Sequence, residues 1–185
     1  ASLLNPTEPT WLSYHSYTPH LYFAINNGMF GFSNSGATTV MHEHNVGDYG
    51  VYYGAAVQPF TLEYIINHSP NIEKAMDNLF IYSEAYNNAN FLELETFKSL
   101  QCTTTKKDTG LVALTCTNLF NDTSNVKKKR DRFQIAVPRN SLGVNPMFRD
   151  RMKGEWMRVR LSYPNASNYK LLVNFINSEI RPVSR

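Results

Sequence analysis

Alternation of apolar and polar residues with a period of two constrains this chain most, because that spacing puts every second side chain on one face of an extended strand. It is clearest over residues 155–163. There Met157, Val159, Leu161 and Tyr163 share one face, while Arg158, Arg160 and Ser162 share the other. Residues 132–137 repeat the pattern until Pro138, which cannot donate to a ladder. In residues 170–175 Leu171, Val173 and Phe175 fall together, and in residues 60–67 Phe60, Leu62, Tyr64 and Ile66 do the same. Further strands are expected near 20–25, 49–53, 79–84 and 91–98. Turn-forming clusters separate them, among them Asn26-Asn27-Gly28, Ser33 to Gly36, Asn87-Asn88, Lys107 to Gly110 and Pro164-Asn165.

Helix is expected only as one or two short pieces, over 71–76 after Pro70 and over 145–152. Many short strands joined by polar turns, without long alternating helices, predict a mainly β protein: an antiparallel β-sandwich or barrel-like fold. With 185 residues, 42% of them hydrophobic and 18% charged, the chain can bury a core, so a single domain is expected over 13–185. Residues 1–12, with Pro6 and Pro9, read as a linker or arm. The start at Ala1 suggests a fragment of a longer chain. No stretch approaches the roughly 20 apolar residues of a membrane-spanning helix, so no membrane partner is expected.

Charge is divided unevenly. Residues 1–100 carry two basic and nine acidic side chains, whereas residues 101–185 carry 16 basic and six acidic ones. Such a split favours association, within the fold or between copies. The strongest run is Lys127, Lys128, Lys129, Arg130 and Arg132, interrupted by Asp131. It reads either as a solvated loop tip or as a basic patch that docks on an acidic neighbour or a nucleic-acid backbone.

Catalytic constellations are not expected. His42 and His44 project from one strand face and would need a third ligand such as Asp48 to hold a cation. Glu93 and Glu95 share a strand face, which a half-buried strand requires anyway, although two carboxylates could also serve glycoside hydrolysis. No Gly-x-Ser-x-Gly elbow or Gly-Lys-Ser/Thr phosphate loop occurs. No cofactor and no enzymatic activity are expected. If the strands flanking Asp108-Thr109-Gly110 form a hairpin symmetric about Thr109, Cys102 and Cys116 face each other as a cross-strand thiol pair, either reduced or bridged.

Several longer segments carry a family resemblance. They are Tyr22-Phe23 with Phe30-Gly31-Phe32, His42 through Tyr52, Pro59 through Tyr64, and Lys74 through Leu79. They continue with Lys129 through Phe133, Pro138-Arg139, Arg151 through Met157, and Tyr169 to Arg181. In these the chain resembles the carboxy-terminal region of tail muzzle or stabilisation proteins of crAss-like bacteriophages that infect gut Bacteroidales. The resemblance implies a virion component at the distal end of a short tail, present in several copies, with other tail proteins and copies of itself as partners. It implies no catalytic or metal-binding residue, and it leaves open whether the basic run contacts other copies or exiting DNA. A carbohydrate- or receptor-binding β-sandwich, with Trp11, Trp156 or Tyr side chains stacking on sugar rings, is the alternative reading.

Overall fold

The computed structural model describes residues 19–183 except 27, 36, 45, 54–56, 117–124 and 142–148. The linker read over 1–12 lies outside them. The chain divides into two compact units, Ala1–Ala56 and Val57–Arg185, so the stretch read as one domain contains a division near Ala56.

The described residues of the first unit hold one antiparallel sheet in the order β1 (Leu21–Ile25), β2 (Gly28–Ser35), β3 (Thr38–Glu43). Ile25 pairs with Gly28, so the reversal between β1 and β2 spans two residues. Asn26 sits there at φ 54°, a left-handed conformation that Asn tolerates better than most side chains. No described apolar side chain of this unit is buried.

The second unit contains two sheets. One runs β4 (Phe60–Ile66), β12 (Met157–Tyr163), β7 (Ser99–Thr103), β8 (Val112–Ala113). The other is organised by β5 (Lys74–Tyr86), thirteen residues long. Along one side of β5 lies β13 (Lys170–Pro182). Along the other side lie in turn β11 (Lys153–Gly154), β10 (Arg132–Ala136) and β6 (Leu92–Glu93), with β9 (Val126–Lys129) outside β10. Every ladder is antiparallel.

Both sheets feed one core. Met157, Val159, Leu161 and Tyr163 of β12 are fully buried, as are Leu79 and Ile81 of β5, Leu100 and Cys102 of β7, and Phe133 and Ile135 of β10. Arg158 and Arg160 stay exposed between the buried residues of β12, as the alternation requires. Burying a side chain the size of Leu or Ile stabilises the fold by about 1.5–3 kcal/mol, so this cluster dominates the unit's stability.

No helix occurs among the described residues, which corrects the expectation of short helices. Residues 71–76 have helix-forming side chains, but Asn71 at φ 73° breaks the chain and the strand β5 begins at Lys74. Lys74 and Ala75 are paired on both sides, by Pro182 and Arg181 of β13 and by Gly154 and Lys153 of β11. Ladder bonds on two sides outweigh a propensity difference of a few tenths of a kcal/mol per residue. Buried Lys74 donates its ammonium to the carbonyls of Ser69 and Ile72, each at 2.8 Å, and so ties the preceding turn to the strand. In the second expected piece, residues 149–152 are irregular and the remainder lies outside the described residues. No described helix is long and apolar enough to cross a membrane.

Candidate interaction surfaces

The basic run folds as a hairpin. Lys129 pairs with Arg132 and Lys127 with Gln134, so β9 and β10 join through the two-residue turn Arg130-Asp131, with Arg130 at φ 54°. Alternation sorts the run onto two faces. Lys128 lies opposite buried Phe133, its Nζ 4.0 Å from that ring's centroid, on the core side. Lys127 and Lys129 are exposed on the outer side with Arg132 and Gln134. The structure therefore brings together Lys127, Lys129, Arg130 and Arg132, and turns Lys128 away from them.

The outer side continues across the sheet onto aromatic rings. Arg132 donates from Nη1 to the Tyr82 hydroxyl at 3.1 Å, and its guanidinium lies 4.7 Å from the centroid of the Phe80 ring. Phe175 of β13 pairs with Tyr82, and their rings stack at 3.9 Å with 21° between planes. Phe175 remains 54% exposed. Sequence reasoning missed these aromatics because Phe80, Tyr82 and Phe175 lie far from the basic run in the chain. The alternation of β5 does carry their signal: Phe80 and Tyr82 fall on the opposite face from Leu79 and Ile81.

A second surface is the face of the three-stranded sheet that holds Leu21, Phe23, Ile25, Phe30, Phe32 and Met41, assigned by register. Phe23 stacks between Phe30 and Phe32 with centroids 5.3 and 5.5 Å away. Leu21, Ile25 and Met41 are 57%, 56% and 56% exposed, and Glu43 is the only charged side chain of these strands on that face. Its signal in the sequence is β1 itself, Leu-Tyr-Phe-Ala-Ile, which is apolar on both faces.

The opposite face of the same sheet holds the two histidines. His42 Nε2 lies 3.0 Å from Ser33 Oγ, and His44 Nε2 lies 3.0 Å from the Tyr53 hydroxyl. Tyr53 meets both imidazoles edge to face. A Cβ at Gly31 would lie 2.7 Å from that hydroxyl and 2.9 Å from His44 Nε2, so the pair rests directly on the glycine backbone. Their ring nitrogens face hydroxyls, and no group of three metal-binding side chains occurs among the described residues.

Glu93 and Glu95 do not extend along one strand, because β6 ends at Glu93 and the Glu95 amide bonds back to the Glu93 carbonyl at 3.0 Å. Asn87 donates to Glu93 at 2.8 Å, and Lys98 pairs with Glu95 at 3.3 Å. Each carboxylate thus has a local structural partner.

The cysteines require a correction. Ser99 pairs with Ala113 and Leu100 with Val112, so the β7–β8 hairpin is centred near Lys106 rather than Thr109. The shift arises where Asp108, bridged to Thr103, accepts from the Gly110 amide and from Gln101 and Thr103, pulling the turn back toward β7. Cys102 then lies beside Val159 of β12, while Cys116 bridges to Val126, and both thiols are free. Burial, with a smaller contribution from Asp108, pushes the Cys102 thiol up to about 12, so it behaves as a small core hydrophobe. Trp156 is half-buried, and Trp11 lies outside the described residues.

One ion cluster ties β5 to its neighbours. The register skips Asp77 between the pairs Asn78–Glu179 and Met76–Ile180, a bulge that frees its side chain to meet Arg181 and Arg151. The hydrogen bond from Arg181, aided by the charges of both guanidiniums, holds the Asp77 carboxyl below its ordinary value.

No curated protein matches the chain. A family model does match it, over residues 47–140, and its description is the C-terminal domain of the Crassvirus muzzle protein. That stretch includes β4 to β10 with the basic hairpin and the core residues between them. The chain therefore belongs to the Crassvirus muzzle protein C-terminal domain family, and its role is that of a structural component of the virion.

Proposed function

We propose that the chain is a distal tail module that holds its place through sheet surfaces, against other tail proteins and copies of itself. The observation that carries the reading is the apolar face of the first unit, with Leu21, Ile25 and Met41 each more than half exposed beside three phenylalanines. A face of this kind on a sheet with no buried apolar side chain gains most of its stabilisation by docking, and contiguous exposed apolar surface marks interaction sites. The family membership supports the reading with a setting, a virion in which other structural proteins are at hand.

The test is light scattering on the isolated chain across a concentration series, with a Leu21→Ser/Met41→Ser variant alongside. The expected result is a concentration-dependent oligomer that the variant dissociates. A monomer at every concentration, joined to specific binding on a glycan array, contradicts the reading and favours carbohydrate recognition.

A further inference from the structure

We propose that the outer face of the six-stranded sheet binds single-stranded nucleic acid, with Lys127, Lys129 and Arg130 on the phosphates and Phe175 stacking on a base. The inference rests on the second unit alone and is independent of the assembly reading.

Register places Lys129, Arg132, Tyr82 and Phe175 in one row across four adjacent strands, β9, β10, β5 and β13. Strands lie about 4.8 Å apart, so the row runs about 14 Å from a cation to an exposed ring. Lys127 and Lys129, two residues apart on β9, leave the strand about 7 Å apart on the same face. No ion pair joins Lys127, Lys129 or Arg130 to a described residue. Arg132 has another role: its bond to Tyr82 and its position over Phe80 fix the aromatic part of the row. Phe175 in turn is held flat against Tyr82 with half its surface in solvent.

A flat exposed ring beside unpaired cations is the arrangement that single-strand binders use, cations tracking the backbone and aromatics accepting bases. An acidic protein surface would use the cations but would gain little from a planar ring. Duplex DNA keeps its bases stacked inside and would likewise leave Phe175 idle. Acidic groups do occur on this face: Glu179 accepts from Asn78, Glu84 accepts from the Tyr86 hydroxyl, and Asp131 lies in the hairpin turn. Glu84 and Glu179 flank the row along β5 and β13 rather than interrupting it.

Fluorescence anisotropy of a labelled oligothymidylate with the full chain, across a salt series, tests the proposal. Three phosphate contacts predict that log K falls against log salt with a slope of about −2. Phe175→Ala should weaken binding about five- to 150-fold at unchanged slope, and Phe175→Tyr should restore it. Lys127→Ala/Lys129→Ala should reduce the slope to about −1. Thermal unfolding of each variant confirms that the fold persists. Absence of binding at low salt overturns the proposal. So does displacement by polyglutamate or by duplex DNA as effective as by oligothymidylate with Phe175→Ala neutral, which reassigns the face to an acidic protein or to phosphate alone.

Discussion

Strands β3 and β12 both carry large apolar side chains, yet they meet opposite fates. In β12 every second residue is buried against a second sheet, and its charged residues face outward. In β3 no residue is buried, although Val40 and Met41 are as apolar as anything in the core. The difference lies in what each sheet packs on among the described residues. Among the described residues, two sheets of the second unit supply apolar faces to one cluster, whereas the three-stranded sheet of the first carries apolar side chains on both faces. Apolar content alone therefore does not make a core, and where it exceeds what the unit buries it leaves the exposed surface on which the proposed docking rests.

The largest expected effects come from attacking this contrast directly. Leu161→Ala should cost about 2–5 kcal/mol in urea-induced unfolding of the isolated chain, since it empties a fully buried site. Met41→Ala in dilute solution should stay within about 0.5 kcal/mol, since the side chain is exposed. Similar losses at the two sites would erase the distinction.

A smaller effect should appear with pH. Asp77 is held below its ordinary value by Arg181 and Arg151, so in the pH range between its two values the unfolded chain binds the proton and the folded chain does not. Its contribution is therefore complete at neutral pH and is lost as pH falls from about 4 downward. Unfolding midpoints measured across that range should fall less steeply in Asp77→Asn than in the parent. Parallel profiles would show that the cluster adds nothing to the joint between β5 and β13.

Smallest of all is the hairpin turn. Arg130 adopts φ 54°, a region costly for a side chain bearing Cβ, so Arg130→Gly should raise stability by about 0.5–1 kcal/mol in thermal unfolding. A loss instead would mean that the Arg130 side chain holds the turn.

How much of this was legible depended on whether local pattern and tertiary pairing agreed. The strands around Leu62, Ile135 and Val159 were readable because their alternation matches their burial, and so was the mainly β class. The start of β5 was not, because Glu73, Lys74, Ala75 and Met76 favour helix and only pairing on both sides makes them extended. Residues 91–98 retain just Leu92-Glu93 as strand, and residues 49–53 form turns and irregular chain, although Tyr and Val there suit a sheet. The cysteine register failed for a local reason: the Asp108 side chain moved the reversal, and two-residue arithmetic cannot foresee that. For the candidate surfaces, the cations were visible as a run, but Lys128 could be separated from Lys127 and Lys129 only once β9 was known to be a strand. The row from Lys129 to Phe175 joins the β9–β10 hairpin to β5 and β13, which lie far from it in sequence, and no local signal encodes that pairing.

Hydrogen exchange followed by mass spectrometry, on the dilute chain and on the assembled particle, tests the central contrast most directly. Amides of β5 and β12 should be strongly protected in both, while those of β1 to β3 should exchange quickly in the dilute chain and slow markedly in the particle. Equal protection of β1 to β3 and β12 in the dilute chain, or fast exchange of β1 to β3 in the particle, would contradict it.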